Sequence, residues 1–330
     1  MGIFVLRRLW QLVVVLLGGF TIMFVLFFAL PDDPAVILAG GGTRVPPPQV
    51  IENTRVRFGL DKPLYEQYLT RLVDAVTLRG TSFKGEVPVR DTVKERLPAS
   101  LRLAFWAVAI ETVVGISGGV LSARRRNSFS DWLTTTAAVV LSAIPVFVLA
   151  YLLKQLTGVY AFEHDSWFQL PTSTIGPNEW YLGVIPSLDQ LRYLVQPAFV
   201  LASVSTAVIA RLTRTTMLEA AGSDHVRTAR AKGLKEGQVV RRHTLRNALI
   251  PVVTYIGIDV GTLIGSAILT ETVFSWPGLG SKIASAAGNR DLPVMLTLSM
   301  VVILIYGIMS LVVDLLYAWL DPRIRLEDAK

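Results

Sequence analysis

Six stretches of about 20 largely apolar residues recur along this chain, near 9–30, 100–122, 132–156, 194–216, 249–271 and 294–320. Each is long enough to cross the hydrocarbon core of a bilayer as a helix. A backbone in lipid must satisfy its own hydrogen bonds, so these windows restrict the fold to a helical bundle. The expectation is an all-α polytopic membrane protein with six transmembrane helices. Charged residues make up only 17% of the 330 positions, against roughly 25% in soluble domains. The fourth window is the least apolar, diluted by Ser203, Ser205 and Thr206. The first follows Arg7 and Arg8, as a signal peptide would, but its apolar run is too long and "LPDDPA" reads as a helix stop. It is therefore expected to be an uncleaved span.

The charges orient the spans. "ARRRNSFSD" places Arg124, Arg125 and Arg126 in a very short connection between spans 2 and 3, the strongest form of the positive-inside signal. Between spans 4 and 5, Arg211, Arg214, Arg227, Arg230, Lys232, Lys235, Arg241, Arg242 and Arg246 outnumber the acids Glu219, Asp224 and Glu236. Both connections belong in the cytoplasm. Glu163, Asp165, Glu179 and Asp189 mark the segment after span 3 as external, and six spans return both termini to the cytoplasm. The net charge of +7 is thereby explained by loops that meet anionic lipid, with no nucleic-acid partner required.

From 31 to 98 the chain is nearly charge-balanced and long enough to be translocated whatever its charges. "AGGGTRVPPP" reads as a flexible linker. In "PLYEQYLTRLVDAV", Leu64, Tyr68, Leu72 and Ala75 fall on one helical face. The expected division is 1–98, the first span with an external segment, and 99–330, a five-helix core with a cytoplasmic loop at about 217–250.

No catalytic constellation is apparent. Cysteine is absent, which removes disulfides and thiolate chemistry, and His164, His225 and His243 are not at metal-ligand spacing. "GLGSK" at 278–282 has the wrong order for a phosphate loop. Neither an ATPase site nor a cofactor or metal site is expected.

The loop between spans 4 and 5 is more ordered than a connector needs. Ser223 can cap a short helix, Asp224 sits at its positive end, "HVRTARAK" favours helix, and Gly233 supplies a left-handed stop. A second helical stretch is expected from about Lys235, with Pro251 opening span 5. Within span 5, Gly257, Gly261 and Gly265 recur every four residues, a smooth strip for helix contact. Asp259 lies among them, with Thr262 nearby, and these two are candidate pathway-lining residues. Glu111 and Asp314 are the carboxyls of other spans. Intramembrane carboxyls are costly and face an interior or a cavity, so a self-sufficient proton-coupled carrier using Asp259 or Glu111 stands as the alternative reading. A membrane-embedded enzyme would need polar groups clustered at one depth, and none is visible in the sequence.

"LRRLWQLVVVLLGG", "LPDDPA", "FGLDKPLYEQYLTRL", "VKERLPASLRLA", "HVRTARAKGL", "RHTLRNALIPVV", "ETVFSWPGLG" and "DPRIR" together cover most of 1–325. In these words the chain resembles the inner-membrane permease subunits of bacterial dipeptide and oligopeptide importers of the ATP-binding-cassette type. The resemblance implies a MetI-like (type I importer) permease core that forms half of a peptide pathway. It implies as partners a second homologous permease subunit, two cytoplasmic ATPase subunits that bind ATP and Mg, an extracytoplasmic binding protein, and membrane lipid. It also implies that the span 4–5 loop is a coupling helix docked on an ATPase, a role falling on Asp224, Arg227, Thr228, Ala229, Arg230, Ala231 and Gly233. The wider superfamily writes this loop as Glu-Ala-Ala, three residues, Gly, then Leu-Pro. Here Arg227 and Thr228 replace the first two positions, and Leu245-Arg246 stands for Leu-Pro. "TLRGTSFKG" at 77–85 and Asp32 also depart from the common pattern.

Overall fold

The computed structural model describes residues 2–31, 33–39, 46–83, 87–172 and 176–320. Asp32, most of the Gly-rich linker, part of "TLRGTSFKG" and the terminal "DPRIR" lie outside them. Among the described residues the elements are α1 (Gly2–Phe24, continued by a π-helical turn Val25–Ala29), α2 (Pro34–Leu38), α3 (Pro48–Arg57), α4 (Leu64–Thr77), α5 (Val89–Arg124), α6 (Phe129–Ala143), α7 (Val146–Lys154), a π-helical segment Gln155–Tyr160 and α8 (Ala161–Glu163). A two-stranded antiparallel ribbon, β1 (Trp180–Tyr181) and β2 (Ile185–Pro186), precedes α9 (Leu188–Ala221). Then come α10 (Asp224–Ala231), α11 (Glu236–Gln238), a π-helical segment Val239–Thr244, α12 (Leu245–Val273), α13 (Leu279–Gly288) and α14 (Leu292–Leu320). Five helices are long and apolar enough to cross a membrane. A sixth is added when the bent pair Glu236–Leu263 and Gly265–Val273, turned by 59°, counts as one span.

Two window boundaries differ from the hydropathy reading. The third window, 132–156, is broken at Pro145. A proline disfavours helical geometry in the residue before it, and Ile144 is accordingly extended, with ψ 124°. The qualifying span there begins at Val146 and runs to Glu163. Pro251 does not open the fifth span but lies inside α12, which starts six residues earlier. The π-helical segment before Leu245 carries the chain into the helix without a break.

The chain divides into two compact units, 1–100 with 277–330, and 101–276. In the first unit α1 packs on α14. Phe20, Phe24 and Phe28 form a ladder, joined by Ala75 of α4 and by Leu292, Leu296 and Met300. Tyr68 sets its ring edge-on to Phe20 and Phe24, 5.3 and 5.2 Å between centroids, and its hydroxyl meets Thr21 at 2.8 Å. The expected stripe on α4 is therefore seated through Tyr68, Leu72 and Ala75, while Leu64 is exposed. Arg8 and Asp314 pair at 3.1 Å between α1 and α14.

In the second unit α9 is the central element, packed by α6, α7 and α12. Its cytoplasmic end is tied to α6 by a fork. Arg214 donates from Nε and Nη2 to the two oxygens of Asp131 at 2.7 and 3.0 Å. Asp131 also accepts from Ser122 of α5 and from the backbone N–H of Asn127 at 2.9 Å. Arg211 and Arg214, counted above with the loop, thus belong to α9, which continues to Ala221.

Candidate functional site

The loop that follows α9 is a small folded knob. Ser223 takes the extended conformation of an N-cap residue, but its side chain makes no cap bond and instead donates to the carbonyl of Ala220 at 2.5 Å. α10 then runs for two turns. It buries Val226 and Ala229 against Val239 of the π-helical segment, a miniature core that holds a short helix no isolated peptide of this length would keep. Gly233 has φ +77°, the left-handed geometry that reverses the chain after the helix. A Cβ there would meet nothing within 4 Å, so the demand for glycine is conformational. Arg230 clamps the far side, with Nε and Nη2 on the carboxylate of Glu236 at 3.2 and 2.9 Å. That guanidinium holds the Glu236 carboxyl below its usual range.

The set singled out by resemblance is therefore divided by the structure. Ala229 faces inward, Arg230 is engaged with Glu236, and Asp224, Arg227, Thr228 and Ala231 face out. The outward face keeps its charges: Arg227 and Asp224 are 3.7 Å apart, both highly exposed. Beyond the loop, His225 meets Asn247 of α12 at 2.9 Å and Ser223 at 3.3 Å, which ties the knob to the start of α12. A structured knob with an apolar underside and an open charged face can receive a partner as a rigid body, which a flexible loop could not transmit.

α12 presents a second constellation. Of its glycine strip, Gly257 is half-buried, Gly261 buried and Gly265 exposed, with open space where a Cβ would stand. Thr262 donates to the carboxylate of Asp259 at 3.1 Å and to its carbonyl at 2.8 Å. The other oxygen of Asp259 is sealed from solvent without a partner. Against it lies Glu111 of α5, fully buried, neither of whose oxygens has a hydrogen-bond partner within 3.5 Å. Tyr255 of α12 lies near both carboxyls and near Ser205 of α9. Sequence reading noted Glu111 and Asp259 separately; their proximity arises only from the folded arrangement of α5 and α12.

The residue pair missed by sequence reading is Asp131 with Arg214. A signal existed, because "NSFSD" places an acid three residues after the N-cap Ser128, but its partner lies 83 residues away. "ETVFSWPGLG" turns out to be a tight turn after α12: Ser275 has φ +52°, the Trp276 N–H bonds the carbonyl of Glu271 at 2.8 Å, and the side chains of both Glu271 and Trp276 are buried. Among the described residues no group of three or more His, Asp or Glu side chains could hold a metal ion.

Comparison with known proteins decides what such a molecule is. A model of the family described as "binding-protein-dependent transport system inner membrane component" matches residues 115–326, and a model of that component's N-terminal part matches 1–104. The chain belongs to this permease family. The permease is 36% identical over 332 residues to the dipeptide transport system permease protein of Alkalihalophilus pseudofirmus, covering 98% of this chain and 99% of that one. It is 35% identical over 331 residues to the oligopeptide transport system permease protein of Bacillus subtilis, with 98% and 99% covered. It is 36% identical over 323 residues to a glutathione transport system permease protein of Escherichia coli, with 98% of each covered. Among solved structures, "Inward facing conformations of the MetNI methionine ABC transporter" matches at a TM-score of 0.52 and 18% identity, over 69% of this chain and 96% of that one, a likeness of fold. The molecule is thus a multi-pass inner-membrane permease subunit of a binding-protein-dependent importer, working with ATPase and binding-protein partners. The family has neither ATPase activity nor a cofactor of its own. Membership also decides against a self-sufficient carrier.

Proposed function

We propose that this permease forms one half of a translocation pathway for di- or oligopeptides, paired with a second homologous permease subunit. In this reading an extracytoplasmic binding protein delivers the peptide, and two cytoplasmic ATPase subunits, holding ATP and Mg, drive the exchange. Residues 1–98 supply the first span and an external segment, and 99–330 the core. The loop at about 217–250 couples the core to an ATPase: Asp224, Arg227, Thr228 and Ala231 make contact, Ala229 and Arg230 hold the helix, and Gly233 turns the chain. Along α12, Gly257, Gly261 and Gly265 offer a helix-contact strip, and Asp259 with Thr262 lines the pathway. Full-length similarity to dipeptide and oligopeptide permeases supports the substrate class.

The observation that carries the coupling role is the knob itself, two helical turns on a private core with the charged face left open. Reversing that face without touching the core is the direct test. Arg227→Glu places like charge where a complementary partner is expected, a mismatch of a few kcal/mol, so peptide uptake by the reconstituted importer should fall at least tenfold while the chain still inserts. Unchanged uptake would contradict the role. Competition among a labelled dipeptide, a longer peptide and glutathione then fixes the substrate class.

A further inference from the structure

The first unit contains an open pocket of about 480 Å³ lined by the loop after α3, by α4, by residues 80–83 and by the first turns of α14. Its wall carries three cations, Arg57, Lys62 and Arg71, against one acid, Asp74. Arg71 is held in place from several sides. Its guanidinium lies over the Phe28 ring at 4.1 Å and near the Phe83 ring at 5.6 Å, and its Nη2 donates to the carbonyl of Phe58 at 3.0 Å. Phe58 and Phe83 pack against each other, tilted by 32° with 3.8 Å between centroids, and Phe83 is fixed in turn by its N–H on Asp291 at 3.0 Å. Arg71 and Lys62 enter no ion pair among the described residues, and the Nε of Arg71 is sealed from water with no acceptor. A partly buried guanidinium with no acid in direct contact is costly. Burial pulls Arg71 down from its usual value to about 10, and Asp74 opposes this only in part.

The position of the pocket says which anion would meet these cations. Phe28 lies in the last turn of the span Val5–Ala29, and Leu296 and Thr297 lie in the first turns of the span Leu292–Leu315. In the topology read from the loops, both ends are on the external side. The cations therefore sit at the depth of the outer-leaflet headgroups, where guanidinium and ammonium groups find phosphate oxygens. We propose that this pocket is a phosphate-binding site at the external surface of the membrane, with Arg71 and Lys62 as its principal ligands. The depth favours the phosphodiester of a phospholipid over a free phosphate, and either source presents the same oxyanion.

The test uses the full-length permease in its assembled importer, delipidated in detergent, with thermal unfolding followed as ligand is added. Three probes are compared: dioctanoyl phosphatidylglycerol, inorganic phosphate, and dioctanoylglycerol, which lacks the phosphate. The phospholipid should raise the Tm of the wild type and dioctanoylglycerol should not. Arg71→Gln and Lys62→Gln should each weaken the apparent affinity about tenfold, the loss of one charge-assisted hydrogen bond. A shift with the lipid alone upholds the site and assigns it to the bilayer; an equal shift with inorganic phosphate upholds it and assigns it to a free anion. Lys62 is exposed, so Lys62→Gln remains informative if Arg71→Gln folds poorly. Equal stabilisation by dioctanoylglycerol overturns the proposal, as does a phosphate response that Lys62→Gln leaves unchanged, or none in the wild type.

Discussion

Helices α1 and α9 are both long enough to span a bilayer, yet they are built for opposite neighbours. α1 is the most apolar of the candidate spans and only 17% of its window is buried, whereas 72% of the window of α9 is buried. In water this would be backwards. In lipid an apolar side chain gains little by turning inward, so a span's interior face is selected for close packing and internal hydrogen bonds. α1 accordingly exposes Trp10, Val14, Val15 and Ile22, while α9 buries Ser203, Ser205, Thr206 and Thr213. Ser203 returns its hydroxyl to the carbonyl of Val200 at 2.7 Å. Small residues on the neighbouring helix let α9 approach: a Cβ at Gly115 would stand 2.7 Å from Ile209, and one at Gly119 would stand 2.5 Å from Thr213 and 2.6 Å from the carbonyl oxygen of Ala210. The serines and threonines that weaken α9 as a hydropathy window are what make it the centre of its unit.

Three substitutions break or sharpen this contrast. Arg214→Ala strands the carboxylate of Asp131, only 7% exposed, at the end of α6. Removing one partner of a buried pair costs roughly 3 kcal/mol, and chemical unfolding in detergent should show a loss of that order. Gly119→Ala should cost about 2 kcal/mol by overpacking α5 on α9, read by the same unfolding curve, because backbone is among the atoms in the way. Val14→Ala on the exposed face of α1 should change stability by less than about 0.5 kcal/mol. If Val14→Ala were as damaging as Gly119→Ala, the assignment of the two helices to lipid and interior would fail.

The same contrast explains what could be read in advance. Hydropathy favours helices that face lipid, so α1 and α14 stand out with mean window hydropathies of 2.8 and 2.5, while α9 qualifies at only 1.7. Arginine triplets give topology because the charge must stay out of the membrane whatever the tertiary structure does. Local signals worked where the structure is local: Gly233 turns after α10, and Tyr68, Leu72 and Ala75 seat α4. They failed where a local rule was overridden or a partner was distant. Ser223 occupies the cap position without bonding as a cap, and Pro145 divides a window that averages as continuous. Asp131 with Arg214, and Glu111 with Asp259, are products of helix packing that no spacing in the sequence encodes.

At the knob the distinction between inward and outward faces becomes functional. Val226 and Ala229 hold α10 in shape, and the face that carries Arg227 has no counterpart among the described residues except the exposed Asp224. The most direct measurement exploits the absence of cysteine from the chain. Arg227→Cys and, on the other cytoplasmic connection, Arg125→Cys each introduce a single thiol, whose rate of maleimide labelling is measured with and without the ATPase subunits assembled. If the knob is where the ATPase docks, assembly protects the thiol of Arg227→Cys at least tenfold and leaves that of Arg125→Cys unchanged. Equal labelling of Arg227→Cys in the free and assembled permease would contradict the account.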